Sequence, residues 1–124
     1  MGVGKSVGYD RAFNFAVRIV RLYQELCENK KEFVLSKQIL RSGTSIGANI
    51  KEALQAQSKR DYLSKMNIAL KEAGETEYWL KLLSATDYLN KDVFESVHAD
   101  CVELIKILAS TVKTTKTRLQ SEER

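Results

Sequence analysis

The middle of the chain reads Arg41-Ser-Gly-Thr-Ser-Ile-Gly-Ala-Asn-Ile-Lys-Glu-Ala53, and this segment keeps a helical apolar period through residues that are weak helix formers. Glycine inside a helix costs about 1 kcal/mol relative to alanine. Gly43 and Gly47 nevertheless lie four residues apart on the apolar side of the segment. We therefore predict that another helix approaches closely there. A hinge or a ligand contact at the two glycines is the alternative.

Periodicity outside this segment predicts three more helices. Proline, which breaks helices through its missing N–H and its ring, is absent from all 124 residues. Apolar residues recur with a helical period over about residues 10–27, 33–57, 59–86 and 92–117. Ser58, followed by Asp61, resembles a capping box at the start of the third helix. Because short connections favour antiparallel neighbours, the predicted fold class is all-α, an up-down-up-down antiparallel four-helix bundle.

The chain length fits a single domain. We expect residues 1–9 to be a flexible leader, residues 10–117 to form the four-helix bundle domain, and residues 118–124 to be a frayed tail. No apolar run approaches the roughly 20 residues that span a bilayer, and the N-terminus lacks a secretory apolar segment. Cys27 and Cys101 are interpreted as buried reduced thiols. These features predict a cytoplasmic protein without membrane association.

The helices carry more apolar residues than a lone bundle needs. A bundle core uses about three positions in seven. In the first helix we predict a core stripe of Phe13, Ala16, Val17, Val20 and Cys27. A second apolar stripe lies beside it and consists of Phe15, Ile19, Leu22 and Leu26. The third helix adds Tyr62, Tyr78, Trp79 and Leu82 to its core stripe. The surplus indicates a broad core or a subunit interface, and we favour the interface.

Inward positions of the other helices follow from the same period. In the second helix they are Leu35, Ile39, Gly43, Ile46, Gly47, Ile50, Ala53 and Leu54. In the third they are Leu63, Met66, Ala69, Leu70, Ala73, Leu80 and Leu83. In the fourth they are Val93, Val97, Cys101, Leu104, Ile105, Leu108 and Val112.

Charge is distributed unevenly along the chain. The net charge is +4, but residues 1–60 hold 11 Lys and Arg against 5 Asp and Glu, whereas residues 61–124 hold 9 against 11. The basic first half is a candidate surface for a polyanion. The candidate nucleic-acid-binding residues are Arg18, Arg21, Lys37, Arg41, Lys51, Lys59 and Arg60. Contacts to phosphates need only such point charges; the alternative is a solvated face with helical ion pairs.

Polar residues near the glycines suggest a second structural role. Ser42 and Asn49 lie at the margin of the apolar stripe, and Glu72 and Glu75 lie among small residues of the third helix. Buried polar groups need hydrogen-bond partners. We therefore expect Ser42 or Asn49 to bond to Glu72 or Glu75 and to fix the register of the two helices.

No constellation of residues indicates catalysis. Di-metal bundles use Glu-x-x-His on two helices, but His98 is the only histidine, and Glu95 gives it a single such pair. No arrangement of a nucleophile with a base is visible. We predict no metal, no cofactor and no enzymatic activity.

The sequence resembles the four-helix-bundle family of 23S rRNA intervening-sequence proteins. The similarity lies in the central segment and in Ser58, Asp61-Tyr-Leu, Lys65-Met-Asn-Ile-Ala-Leu-Lys-Glu-Ala73 and Glu75-Thr-Glu-Tyr-Trp-Leu80, and it covers about residues 10–117. The resemblance implies a bacterial cytoplasmic homopentamer without catalytic residues. Relatives include basic accessory proteins of reverse transcriptases in diversity-generating retroelements. The partners that the resemblance implies are therefore further copies of the chain, RNA or DNA, and a reverse transcriptase or another protein.

Together these observations predict a non-enzymatic oligomeric helical bundle that acts as an assembly or accessory module and presents basic helix faces to RNA or DNA. The alternative is a protein-only structural scaffold that binds no nucleic acid.

Overall fold

Four α-helices make up the fold. The computed structural model describes residues 7–123, in which the elements are α1 (Val7–Glu28), α2 (Leu35–Leu54), α3 (Lys59–Ala85) and α4 (Lys91–Glu122). No strand occurs within that range. Each helix packs on the next, and α1 also touches α4. The predicted all-α four-helix bundle is therefore confirmed.

The ends of the bundle differ from the prediction. Residues 1–6 of the predicted leader lie outside the described residues, and α1 begins within the leader, at Val7. At the other end, α4 continues to Glu122, so most of the segment predicted to fray is helical. No proline or glycine follows Thr117 to stop the helix. Its last turn is also held by ion pairs, which join Glu122 to Lys59 and Glu123 to Arg60.

Side-chain caps begin α3 and α4. Ser58 Oγ accepts a hydrogen bond from the backbone N–H of Asp61 over 3.0 Å, which is the predicted cap. Asn90 Oδ1 does the same for Val93 over 2.8 Å. These bonds satisfy N–H groups that have no partner inside the helix.

A buried carboxylate begins α2. Glu32 accepts hydrogen bonds from the backbone N–H groups of Val34, Leu35 and Ser36 over 3.2, 3.0 and 2.7 Å. Burial opposes ionisation of Glu32, but these backbone donors outweigh it and lower the pKa of the carboxyl. Lys31, just before it, has φ 54°, which turns the chain back into the helix.

The buried stripe of α1 is the one that was predicted to lie beside the core. It consists of Ala12, Phe15, Ile19, Leu22 and Leu26. The predicted core residues Phe13, Val17 and Val20 are instead 55%, 45% and 36% exposed. Both stripes have helical spacing, so periodicity could not show which of the two is buried. Packing against α2 decides between them, because the glycine side of α2 accepts Ala12 and Ile19.

The two glycines of α2 differ in how closely α1 approaches them. A Cβ atom at Gly43 would lie 2.8 Å from two side-chain carbons of Ile19, closer than atoms can pack. At Gly47 the same atom would lie 3.6 Å from Ala12, which is ordinary contact. Gly43 therefore sets the distance between α1 and α2.

The interiors of α2, α3 and α4 largely follow the prediction. Most predicted inward residues of α2–α4 are buried. Val93 is an exception, being 38% exposed in the first turn of α4. Thr76 is fully buried in α3, a polar position that the apolar period does not reveal. None of the helices is long and apolar enough to cross a membrane in the part of the chain that the structure describes.

Candidate interaction surfaces

An apolar row runs along the exposed side of α1. It consists of Phe13, Val17 and Val20, whose spacing returns them to one face of the helix. The ring of Phe13 tilts toward that of Tyr9, with centroids 6.3 Å apart. Phe13 and Val20 each follow a residue that packs on α2, Ala12 and Ile19. The apolar row therefore lies on the outer flank of the contact between α1 and α2. It is the exposed apolar surplus of α1, which was predicted to consist of Phe15, Ile19 and Leu22.

The α3 residues in the predicted surplus are mostly used inside the protomer. Tyr62 and Trp79 are partly buried and pack against the core. Trp79 Nε1 also donates to Glu75 Oε2 over 3.1 Å. Tyr78 differs, because it is 58% exposed. It is the most exposed aromatic side chain of α3.

Polar side chains join α2 to α3, as predicted, but the bonded partners differ from the predicted ones. Ser42 Oγ accepts a hydrogen bond from Thr76 Oγ1 over 2.9 Å inside the core. Asn49 Nδ2 donates to the backbone oxygen of Ser45, in its own helix, over 2.8 Å. The predicted bonds from Ser42 or Asn49 to a glutamate of α3 were therefore wrong. Ser42 instead bonds to Thr76, and Glu72 and Glu75 bond to an arginine of α2.

That arginine is Arg41. Its Nη1 donates to Glu72 Oε1 and Oε2 over 3.2 and 3.3 Å, and its Nη2 binds Glu75 Oε2. The hydrogen bond from Trp79 and the guanidinium of Arg41 together lower the pKa of Glu75. Glu75 and Glu72 raise the pKa of Arg41 in turn. Charge-assisted bonds of this kind outcompete neutral donors for a carboxylate.

Three further candidate nucleic-acid-binding residues also bind carboxylates. Arg18 Nη1 donates to Asp100 Oδ2 over 2.7 Å, and its Nη2 donates to Ser96 Oγ over 2.9 Å. Arg18 also lines a groove of about 200 Å³ between α1 and α4. Lys59 and Arg60 hold the end of α4 through the ion pairs described above. A polyanion at these positions would have to displace an existing partner.

Arg21, Lys37 and Lys51 have no ion pair in the part of the chain that the structure describes. Arg21 approaches only Gln24, with 3.4 Å between donor and acceptor. Lys51 Nζ lies 5.7 Å from the ring centroid of Tyr9, within reach of a cation–π interaction. Lys37 is exposed on α2. Three of the seven predicted basic residues are therefore without an ion pair within residues 7–123.

His98 and Cys101 are residues with potential for metal or nucleophilic chemistry. His98 Nε2 lies 2.8 Å from Glu77 Oε2, and its ring stacks on Phe94 with centroids 5.0 Å apart. Among residues 7–123, no group of three or more His, Cys, Asp or Glu side chains could hold a metal ion. Burial, with a contribution from Glu77, raises the pKa of Cys101 to about 12. That thiol therefore stays protonated at neutral pH.

Comparison with known proteins decides the family. A model of the 23S rRNA-intervening sequence protein family matches residues 5–110. The chain belongs to that family. A crystal structure from Bacteroides thetaiotaomicron, of a protein with unknown function from the S23 ribosomal protein family, is 59% identical in sequence. It superposes with a TM-score of 0.85, and the match covers 86% of this chain and 99% of that one.

No curated protein matches the chain. Membership in the 23S rRNA-intervening sequence protein family establishes the fold but indicates no reaction. The exposed surfaces of this family member are the remaining guide to what it does. They include the apolar row on α1, Tyr78 on α3, and Arg21 and Lys37, which have no ion pair among residues 7–123.

Proposed function

We propose that the protein is a non-catalytic helical bundle whose function is to self-associate into a homo-oligomeric assembly module in the cytoplasm. The observation that carries the proposal is the apolar row. Phe13, Val17 and Val20 remain between about a third and more than half exposed while lying on one face of one helix. Contiguous exposed apolar residues of this kind mark interaction sites.

The packing of the rest of the protomer supports the proposal that this row mediates self-association. The core is complete without the apolar row, since α1 contributes its own buried stripe from Ala12 to Leu26. Among the described residues, no buried side-chain polar atom lacks a hydrogen-bond partner. The row is therefore not needed for folding, and its burial against another copy would add stability to an already folded bundle. We propose a homopentamer as the assembled form.

A charged substitution in the apolar row tests this proposal. Val17→Asp places a carboxylate at the centre of the row, and we expect the oligomer to dissociate, because an unpaired charge in an apolar interface is strongly unfavourable. Val93→Asp is the matched control, since Val93 is also an exposed helical valine, 38% exposed, on α4. Light scattering on both variants, with circular dichroism to verify folding, gives the answer. An oligomer that survives Val17→Asp unchanged would refute the role of the row.

Nucleic-acid binding is a second candidate function, and it rests on Arg21 and Lys37. Both cations are free of carboxylates among residues 7–123, and the chain has a sequence pI of about 9.1. Binding through such point charges falls steeply with salt. We expect fluorescence polarisation with random RNA and DNA oligomers to show binding at low salt that Lys37→Glu weakens. An absence of binding at low salt would leave the protein-only scaffold as the function.

A further inference from the structure

We propose that the acidic end of α4 is an autoinhibitory contact that competes with nucleic acid for cations at the start of α3. The ion pairs join Glu122 to Lys59 and Glu123 to Arg60. The phosphate backbone of RNA or DNA needs the same cations and displaces the two carboxylates when it binds. This inference rests on nucleic-acid binding, the second candidate function, and adds how that binding is restrained.

Positive charge is concentrated around this contact. Residues 104–121 of α4 contain four Lys and Arg but no Asp or Glu. Residues 62–71 of α3 contain two Lys and likewise no Asp or Glu. The two segments lie along the same half of the boundary between α3 and α4, because the start of α3 meets the end of α4. The carboxylates of Glu122 and Glu123 therefore stand at the edge of a basic region.

Helical geometry places Lys59 opposite Lys116 in this region. His98 Nε2 of α4 lies 2.8 Å from Glu77 Oε2 of α3, which marks where the two helices face each other. Lys59 comes 18 residues before Glu77, and Lys116 comes 18 residues after His98. At about 3.6 residues per turn, each spacing is five full turns. Because the helices are antiparallel, both spacings run in the same direction along the bundle and return to the boundary between α3 and α4.

Two cations of α4 stay uncovered in this region. Lys113 and Lys116 are exposed and have no ion pair among residues 7–123. Their spacing of three residues keeps them on one flank of the helix. We call these two lysines, together with Lys59 and Arg60, the basic seam. Clustered cations attract a polyanion, and only the α3 members of the seam are covered by the end of α4.

The covering contact is weak enough to be displaced. All four side chains in its two ion pairs are at least half exposed, and exposed ion pairs contribute little stability. Residues 111–117 of α4 include four threonines, which are weak helix formers. Both carboxylates also lie beyond residue 110, where the match to the family ends. A nucleic acid that gains several phosphate contacts along the basic seam therefore outcompetes the two carboxylates.

Neutralising the two carboxylates tests the competition. The variant Glu122→Gln/Glu123→Gln keeps good helix formers at both positions and uncovers Lys59 and Arg60. We expect its affinity for labelled random RNA and DNA oligomers at low salt to rise about three- to tenfold over wild type, because two competing ion pairs are lost. Fluorescence polarisation measures the affinities, and circular dichroism verifies folding.

A second variant controls for the change in net charge. Glu28 and Glu95 are exposed, have no ion pair among residues 7–123, and lie toward the opposite end of the bundle. Glu28→Gln/Glu95→Gln therefore removes the same amount of negative charge without uncovering the basic seam. We expect its affinity to change less than about twofold, because exposed charges at that distance are screened. Equal gains in the two variants would overturn the competition, since net charge would then explain them.

Removal of the covered cations completes the test. Lys59→Gln/Arg60→Gln should lower the affinity of wild type only slightly, but about three- to tenfold in the variant that lacks the two terminal carboxylates. Equal losses in both backgrounds would overturn the inference while leaving nucleic-acid binding intact. Absence of binding by wild type and by every variant would overturn nucleic-acid binding itself, and the autoinhibitory role with it.

Discussion

At the scale of single residues, Gly43 and Glu32 are two positions on which the fold depends strongly. The missing side chain of Gly43 lets Ile19 of α1 lie directly on α2. The carboxylate of Glu32 supplies the N-terminal cap that the sequence of α2 itself lacks, because Val34 makes no side-chain capping bond. Both roles depend on a contact of a few atoms, so each is sensitive to a conservative substitution.

Alanine substitutions at the two glycines of α2 should differ in their effect on stability. Gly43→Ala forces Ile19 to move, and overpacking of this kind costs about 1–3 kcal/mol, which exceeds or cancels the gain of about 1 kcal/mol in helix propensity. Gly47→Ala meets Ala12 only at ordinary contact distance, so it should keep most of that gain. Urea denaturation of both variants measures the difference. Equal stabilisation by the two changes would contradict the packing at Gly43.

Glu32→Gln should destabilise the bundle in a pH-dependent way. The folded state lowers the pKa of Glu32, so its ionised form contributes stability above the unfolded pKa of about 4.3. That contribution is lost as the pH falls through the lower folded pKa. We expect a loss of about 0.5–2 kcal/mol at neutral pH, as for other helix caps, which shrinks in acid.

Exposed Glu28, at the end of α1, provides the control for that measurement. Glu28→Gln removes one carboxylate near the same loop without touching the cap of α2. Thermal unfolding of both variants between neutral and acidic pH compares them. A Glu32→Gln variant whose pH profile matches that of Glu28→Gln would exclude the capping role.

At the scale of helices, a buried hydroxyl pair and an exposed ionic network fix α2 against α3. Ser42 and Thr76 meet inside the core. Arg41 joins Glu72 and Glu75 on the surface above them. Surface ion pairs contribute little individually, whereas a buried polar group that loses its partner costs about 1–3 kcal/mol. We therefore assign the register mainly to Ser42 and Thr76.

A double-mutant cycle on the hydroxyl pair measures its contribution. Ser42→Ala or Thr76→Val alone removes the bond across the interface, but Thr76 still donates to the backbone oxygen of Glu72 over 2.7 Å, so we expect each change to cost about 0.5–1.5 kcal/mol. The double variant should cost less than the sum of the two, because neither partner remains. Urea denaturation supplies all four free energies. Strict additivity would show that the two hydroxyl groups do not interact.

The helices were predictable from the sequence, whereas several of their contacts were not. Periodicity and the absence of proline determine where helices form, and Ser58 marks the start of α3 as predicted. Periodicity cannot decide which of two adjacent stripes of α1 is buried, because that depends on Gly43 in another helix. It also cannot show that Arg18 meets Asp100 across the bundle. Such long-range pairs reduce the basic surface that composition alone suggests.

At the scale of the whole molecule, the bundle is a folded protomer with two chemically different sides. One side carries the apolar row of Phe13, Val17 and Val20, and another carries Tyr78. Membership in the 23S rRNA-intervening sequence protein family gives the fold, and the exposed apolar row is the basis of the proposed self-association.

The most direct test is the mass of the unmodified protein across a dilution series, measured by sedimentation. Self-association through the apolar row predicts a mass that is a multiple of the 14.1 kDa protomer, with five protomers as the proposed form, and a decline toward the protomer only at high dilution. A constant mass of one protomer at all concentrations would contradict it.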